Sequence, residues 1–389
     1  SRLSARHPLS LADREVHRLI SAQLADLLPD IKDGYSCDQQ TVSDIVLKAT
    51  VEGSAIEGAC NALENAPTGM TVRASLNAAL PVTALPEIGG AICAQLVSGL
   101  PGRLGNGPLA LACDWHDEPF YGKDPTLKAY ARRGEARQGT TWFYRVATIY
   151  VLHRPSPYTL GLVFVLPGDT VQDVLKALLH QVQDLGVHIG SLYRDKGFCV
   201  QPVIECWKDP PYAATLACPI RGRKGGTRAL CTGRTSDFTE DTFSAGKPEA
   251  YTAPLAVVRT YEQRHGQRRA VWLIYVVIHV STKDLQAIRA RYRSRFGIET
   301  GDRCMRQTHA MTTSRNPALR FFLLGVAFLI LNLWVALRWR WCQRPRRGGR
   351  TVDQKSYELQ RHRQFIAQVI DEKYKPVSGI QARAAPLDP

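Results

Sequence analysis

The chain has 389 residues, of which 44% are hydrophobic and 22% charged, and its 50 lysines and arginines against 35 aspartates and glutamates give a net charge of +15. This composition excludes a disordered protein, and the length is sufficient for two or three domains. The positive charge favours a polyanionic partner, either nucleic acid or an anionic membrane surface. The ten cysteines form no C-x-x-C pair, which favours reduced thiols of a cytoplasmic protein over a zinc site or a disulfide framework.

Residues 1–106 have the pattern of short helices interrupted by glycine and proline, and we predict a helical domain there. Within it, segment 38–63 contains two helical patterns that meet near Gly53, with Thr41 as the N-cap of the first. Two such helices are compatible with a helix-turn-helix that contacts DNA, and equally with an ordinary small helical bundle.

From residue 107 the pattern changes to strands. The run "GPLALACDWHD" predicts a buried strand that ends at Asp114, and segments 140–154 and 158–167 predict an antiparallel hairpin. A helix follows, with Thr170 as its N-cap, and the strand "VHIGSLYRD" then ends at Asp195. These elements predict an α/β core with a carboxylate at two strand ends, where ligands and metals bind in such sheets.

Residues 221–281 have the pattern of a β-rich insertion. They begin with a basic, glycine-rich loop and continue with a predicted hairpin that turns near His265 and Gly266. The loop is either a solvated surface or a phosphate-binding segment. Its candidate DNA contacts are Arg221, Arg223, Lys224 and Arg228.

A helix predicted from about Thr282 carries a third acid. Tyr292, Arg295, Glu299 and Arg306 fall within about 60° of one another on a helical projection. Glu299 therefore joins Asp114 and Asp195 as a carboxylate from a separate element. Three such carboxylates can hold two Mg²⁺ ions for phosphodiester cleavage. The competing acids are Asp117 and Glu118 for the first position and Asp302 for the third.

Three segments carry a family resemblance: "CDWHDEPFYGK", "LYRDKGF" and "YRSRFGIETGDRCMR". Together they resemble the acidic motifs of insertion-sequence transposases of the DDE class. The third matches the Y-x2-R-x3-E-x6-K signature of that group, except that Arg306 replaces the lysine. The resemblance covers about residues 107–340.

The resemblance implies an RNase H-like catalytic core in residues 107–220 and 282–342, divided by the mostly β insertion. Outside the resemblance, residues 1–106 remain the candidate DNA-binding domain, and the pattern of residues 343–389 predicts a basic, polar tail with one helix in "YELQRHRQFIAQVIDEKY". Asp114, Asp195 and Glu299 would be catalytic and would hold two Mg²⁺ ions, with Mn²⁺ as a substitute. Tyr292, Arg295 and Arg306 would hold DNA phosphate.

The activity implied is DNA cleavage and strand transfer at the ends of an insertion sequence, with a hairpin intermediate. The partners would be double-stranded DNA, as terminal inverted repeats and target, and a second copy of the chain in a synaptic homodimer. The location would be the nucleoid and cytoplasm of a prokaryote. Two alternatives share the fold: an inactive DNA-binding remnant, and a nuclease without strand transfer.

Segment 321–337 permits an alternative of a different class. Its 17 residues carry no charge, and as a helix they would span roughly 25 Å, against about 30 Å for the hydrocarbon core of a bilayer. The segment predicts either a membrane span in an integral membrane protein or a buried core helix. The resemblance favours a core helix that packs on the sheet, and therefore no membrane partner.

Overall fold

The computed structural model describes residues 10–28, 31, 37–102, 107–152, 157–206, 210–222, 226–248, 250–264, 266–296, 304–347 and 349–379. The chain forms two compact units. The first, here the helical unit, consists of Ser1–Gln95 and Asp302–Pro389, and the second, the sheet unit, is Leu96–Gly301. This division differs from the predicted one, because it groups the C-terminal residues with the N-terminal helices.

The main helices and all named strands are numbered in chain order. The helices are α1 Asp13–Ala25, α2 Gln39–Glu52, α3 Ile56–Asn61, α4 Gly69–Ala79, α5 Leu85–Ser98, α6 Pro125–Lys128, α7 Val171–Asp184, α8 Gln201–Cys206, α9 Leu285–Arg293, α10 Pro317–Trp341 and α11 Leu359–Tyr374. The strands are β1 Leu109–Pro119, β2 Arg132–Arg137, β3 Thr140–Val151, β4 Tyr158–Val165, β5 Ile189–Arg194, β6 Ala213–Cys218, β7 Asp237–Phe243, β8 Tyr251–Arg264, β9 Gln267–Ile278, β10 Gln343–Arg346 and β11 Gly349–Val352.

Helices α2 and α3 are the two predicted in segment 38–63, and they meet at Gly53, which has a left-handed φ of 64°. The N-cap of α2 is Asp38 instead of Thr41, since its carboxylate accepts from the Thr41 N–H at 2.7 Å. Every residue from 42 to 51 is buried. Helix α2 therefore has no exposed face to place in a DNA groove, and α3 has only six residues.

Helix α10 contains the apolar segment 321–337 and is buried along nearly its whole length. It packs with α1, α2 and α11 of the helical unit, whereas the sequence interpretation placed it on the sheet. By length and composition it is long and apolar enough to cross a membrane, but 83% of its most apolar window is buried inside the protein. A helix that is apolar all round is expected in such a protein core.

Residues beyond 342 form more than the predicted polar tail. Strands β10 and β11 make a two-stranded hairpin, and α11 contributes fully buried Ile366 and Ile370 to the core. A buried carboxylate, Asp44 of α2, ties α11 to the N-terminal helices. It accepts from Lys373 at 2.8 Å and from the Tyr374 hydroxyl at 3.0 Å, and His17 lies 2.9 Å from its other oxygen.

The sheet unit is built on one large mixed sheet with strand order β2-β3-β1-β5-β6-β9-β8-β7, and β4 also pairs with β3. Strand β3 pairs antiparallel with both β1 and β4, and β5 returns parallel to β1 after the crossover helix α7. Strand β6 is parallel to β5, and β9 joins β6 antiparallel. The predicted insertion is therefore β-rich, and its strands extend the same sheet.

Several local predictions are confirmed. Thr170 and Asp173 form a capping box at the start of α7, β3 and β4 form the expected hairpin, and β8 pairs with β9 down to Arg264 and Gln267. Others are wrong in their bounds. Strand β1 continues past Asp114 to Pro119, because it keeps pairing with β3. Helix α9 ends at Arg293, so the predicted stripe from Tyr292 onward does not lie on one continuous helix.

Candidate functional site

The parallel pairing of β1 with β5 brings two of the predicted acids together. The last registered pair is Cys113 with Arg194, so Asp114 and Asp195 each follow that pair by one residue. Their side chains are 25% and 30% exposed. The predicted strand ends are thus correct for Asp195, whereas Asp114 lies within β1 at the point where β5 stops.

The guanidinium of Arg295 contacts both acids. Its Nη2 lies 3.3 Å from Oδ1 of Asp195, and its Nη1 lies 3.8 Å from Oδ1 of Asp114. Burial lowers the pKa of Arg295, but neighbouring tyrosines and the two carboxylates outweigh that effect, so its pKa is raised and the group stays charged. The two carboxylates therefore face one space that already accommodates a positive charge.

Tyr292 supports this site through the backbone that precedes Asp195. Its hydroxyl donates to the carbonyl oxygen of Arg194 at 3.2 Å, and its side chain is buried against Tyr275, with ring centroids 4.8 Å apart. Burial raises the pKa of Tyr275 to about 12 and raises that of Tyr292 as well. Tyr292 thus holds the backbone that precedes Asp195, while the resemblance assigned it to DNA phosphate.

A further tyrosine, Tyr150 of β3, was not predicted as part of the site. It is buried in the same core cluster as Tyr275 and Tyr292, and burial, followed by the charge of Asp114, raises its pKa well above the ordinary value. The sequence shows it only as one apolar position in a strand. Its closeness to Asp114 arises from the pairing of β1 with β3, which no local pattern encodes.

Asp117, a competitor for the first acidic position, has a structural role. It accepts two hydrogen bonds from Arg145, at 2.7 and 2.9 Å, and a further one from Arg137. Since Asp117 is three residues from Asp114 on β1, the two side chains lie on opposite faces of the strand. Asp117 therefore does not share the face of β1 on which Asp114 contacts Arg295.

The remaining predicted site residues are distributed differently. Glu299, Arg223 and Lys224 lie outside the described residues, as does the competing Asp302. Arg306 belongs to the helical unit. In the basic loop, the backbone N–H of Arg221 donates to Thr227, and Nε of Arg228 donates to the Gly222 carbonyl at 2.6 Å. Arg228 therefore closes the loop on itself.

Among the described residues, the carboxylate oxygen atoms of Asp114 and Asp195 are the candidate ligands for a divalent cation. Within the described parts of the chain, no three His, Cys, Asp or Glu side chains form a group that could hold a metal ion. The two carboxylates nevertheless suit Mg²⁺, because hard cations take oxygen ligands. The guanidinium of Arg295 contacts both carboxylates, so a positive charge already lies beside the oxygen atoms that would hold the ion.

A cleft of about 1250 Å³ opens beside Asp195. One wall is α9, with Arg289 and Arg293, and another is the hairpin of β8 and β9, with Tyr261 and Trp272. Trp272 of β9 faces this cleft. Basic and aromatic side chains around an open cleft are suited to a nucleic-acid strand, since they can contact phosphates and stack on bases.

The similarity of this chain to known proteins lies in its fold. No protein-family model matches the chain, and no curated protein matches its sequence. A cryo-EM structure of a piggyBac transposase synaptic complex with hairpin DNA is similar in fold, with a TM-score of 0.50 and 12% sequence identity, over 96% of this chain and 74% of that chain. The chain therefore has a mixed α/β, transposase-like fold.

Proposed function

We propose that the protein is a DNA transposase that cuts and rejoins DNA strands at the ends of an insertion sequence, in the manner of the DDE class. The observation that carries this proposal is the meeting of Asp114, on β1, with Asp195, directly after the parallel strand β5, where both contact one guanidinium. A two-metal site for phosphodiester cleavage needs carboxylates from separate elements that converge in this way.

The order of the strands supports an RNase H-like core. Three antiparallel strands, β4, β3 and β1, are followed by the crossover helix α7 and by two parallel strands, β5 and β6. The candidate acids lie on β1 and directly after β5. The fold shared with a piggyBac transposase is consistent with that core.

In the proposed site, Asp114, Asp195 and Glu299 hold two Mg²⁺ ions, with Mn²⁺ as a substitute. When bound, such ions lower the pKa of the attacking water or hydroxyl and stabilise the leaving oxygen. The protein's own groups orient the reactants. Tyr292 fixes the backbone before Asp195, and Arg295 offers its positive charge to a DNA phosphate next to the acids.

The proposed partners are the terminal inverted repeats, target DNA and a second copy of the chain. The similar structure is a transposase complex with hairpin DNA, which supports DNA as the partner and a hairpin intermediate here. The proposed location is the nucleoid and cytoplasm of a prokaryote. Burial of α10 supports its role as a core helix and favours this function over that of an integral membrane protein.

The test is a Mg²⁺-dependent cleavage assay on DNA that carries both ends of the protein's own element. Asp114→Asn, Asp195→Asn and Glu299→Gln should each abolish cleavage and leave DNA binding intact. Asp184→Asn is the matched control, since this exposed acid at the end of α7 lies outside the candidate site. It should still cut.

Each other outcome selects a different conclusion. Cleavage by all three acid variants would refute the assignment of the metal site. DNA binding by the wild type without cleavage would identify an inactive remnant, and cleavage without joining would identify a nuclease. Flotation with lipid vesicles, instead of salt-sensitive DNA binding, would favour the membrane alternative.

A further inference from the structure

An aromatic stack lies next to the two candidate acids. Trp115 directly follows Asp114, and Phe198 lies three residues after Asp195. Their rings stack with centroids 4.2 Å apart and planes inclined by 10°. Phe198 is fully buried. Because successive side chains of a strand point to opposite faces, Trp115 lies on the face of β1 opposite to Asp114.

The turn that carries Asp195 lies directly against the indole. A Cβ placed on Gly197 would come within 2.8 Å of Nε1 and 3.0 Å of Cδ1 of Trp115. Within the turn, the N–H of Phe198 donates to the Asp195 carbonyl at 2.9 Å. The absence of a side chain at position 197 therefore lets the turn pack closely on the strand that carries Asp114.

The same indole is also held from β3. The guanidinium carbon of Arg145 lies 5.5 Å from the centre of the Trp115 ring, within the range of a cation–π contact. Arg145 is itself fixed by its two hydrogen bonds to Asp117. A continuous set of contacts thus runs from β3 through β1 to the turn after β5.

These contacts begin where the backbone pairing ends. The registered pairing of β1 with β5 stops at Cys113 and Arg194, so hydrogen bonds of the sheet do not fix the position of Asp195 relative to Asp114. The Trp115–Phe198 stack joins the two segments beyond that point. It does so on the opposite face of β1, so it occupies none of the space between the carboxylates.

We propose that Trp115 and Phe198 are positioning residues that set the separation of the Asp114 and Asp195 carboxylates for their metal ions. This inference rests on the proposed function, because it assumes that those acids bind divalent cations. Because the stack lies on the face of β1 opposite to the carboxylates, both rings would act through the segments that carry the ligands. Residues that orient metal ligands typically change metal affinity by about 10- to 100-fold when they are replaced.

The test compares Trp115→Leu and Phe198→Leu, which keep an apolar side chain without stacking, with Trp115→Phe, which keeps an aromatic ring. Mn²⁺ binding is measured by electron paramagnetic resonance on the full chain, and the Mg²⁺ dependence of cleavage is measured in parallel. We expect the leucine variants to bind Mn²⁺ about tenfold more weakly and to need correspondingly more Mg²⁺. Trp115→Phe should restore most of the affinity.

Trp142→Leu is the control, since this tryptophan of β3 contacts Lys128 and Arg133 instead of the turn. Thermal unfolding shows which variants are folded, and if Trp115→Leu is not, Phe198→Leu and Trp115→Phe decide the question. Wild-type Mn²⁺ affinity in a folded leucine variant, or the same loss in Trp142→Leu, would overturn the inference. A wild type that neither binds Mn²⁺ nor cuts DNA would instead overturn the proposed function.

Discussion

His362 of α11 should make the helical unit sensitive to acid. The ring is fully buried, with Nε2 3.1 Å from the Ile330 carbonyl of α10 and Nδ1 2.9 Å from the Tyr357 hydroxyl. Since a carbonyl can only accept, Nε2 carries the proton, and Nδ1 accepts from Tyr357. Burial lowers the pKa of His362 from 6.5 to about 3, so the folded protein keeps this ring neutral.

The size and sign of the effect follow from that difference. Below pH 6.5, His362 binds a proton in the unfolded chain but stays neutral in the folded protein. The free energy of unfolding therefore falls as the pH is lowered from 6.5 toward 3. At about 1.4 kcal/mol per pH unit, the loss at pH 5 is about 2 kcal/mol. Asp44 adds little in this range, because its pKa is lowered from 3.8.

The assay is urea unfolding at pH 8 and pH 5, with hydrogen exchange of peptides from α10 and α11 to identify the helical unit. His362→Gln cannot titrate but can still donate to the Ile330 carbonyl, and it should lose about 2 kcal/mol less than the wild type between the two pH values. Exposed His180 gives the control variant His180→Gln. Equal pH dependence in the wild type and His362→Gln would refute the reasoning, including the packing of α10 inside the protein.

Two further predictions concern buried polar groups. Tyr292→Phe removes the hydroxyl that donates to the Arg194 carbonyl, so it should lower the free energy of unfolding by about 1 kcal/mol. It should also slow cleavage without weakening DNA binding. A weaker DNA complex in a filter-binding titration would instead support a role of Tyr292 in binding DNA phosphate. Asp44→Asn removes the buried negative charge that accepts from Lys373 and Tyr374, so it should destabilise the helical unit by about 3 kcal/mol. Urea unfolding at pH 7 checks this, and an unchanged midpoint would contradict it.

Local patterns were sufficient for the elements whose signals lie within a few residues. The capping box of α7 depends on Thr170 and Asp173, and the hairpin of β8 and β9 depends on strand propensity around one turn. The sequence also placed Asp114 and Asp195 at one edge of the sheet, although Asp114 lies within β1, at the point where β5 stops, and not at a strand end.

Contacts between distant segments could not be read in this way. Helix α10 is apolar on every side, so its sequence offers no apolar face from which its packing partners could be predicted. Its packing against α1, α2 and α11 was therefore not predicted. Arg295 was recognised as part of the site, but its position against Asp114 and Asp195 depends on where α9 packs on the sheet. Tyr150 and the Trp115–Phe198 stack depend on strand register, which only the fold supplies.

The interleaving of the two units has a consequence for biosynthesis. The sheet unit is one uninterrupted stretch, Leu96–Gly301, whereas the helical unit is assembled from residues on both sides of it. The ribosome therefore releases the whole sheet unit before α10 and α11 exist, and α1 and α2 must wait with their apolar surfaces uncovered. Nascent chains that stop soon after residue 301 should be captured by chaperones or degraded, even though their candidate catalytic strands are complete.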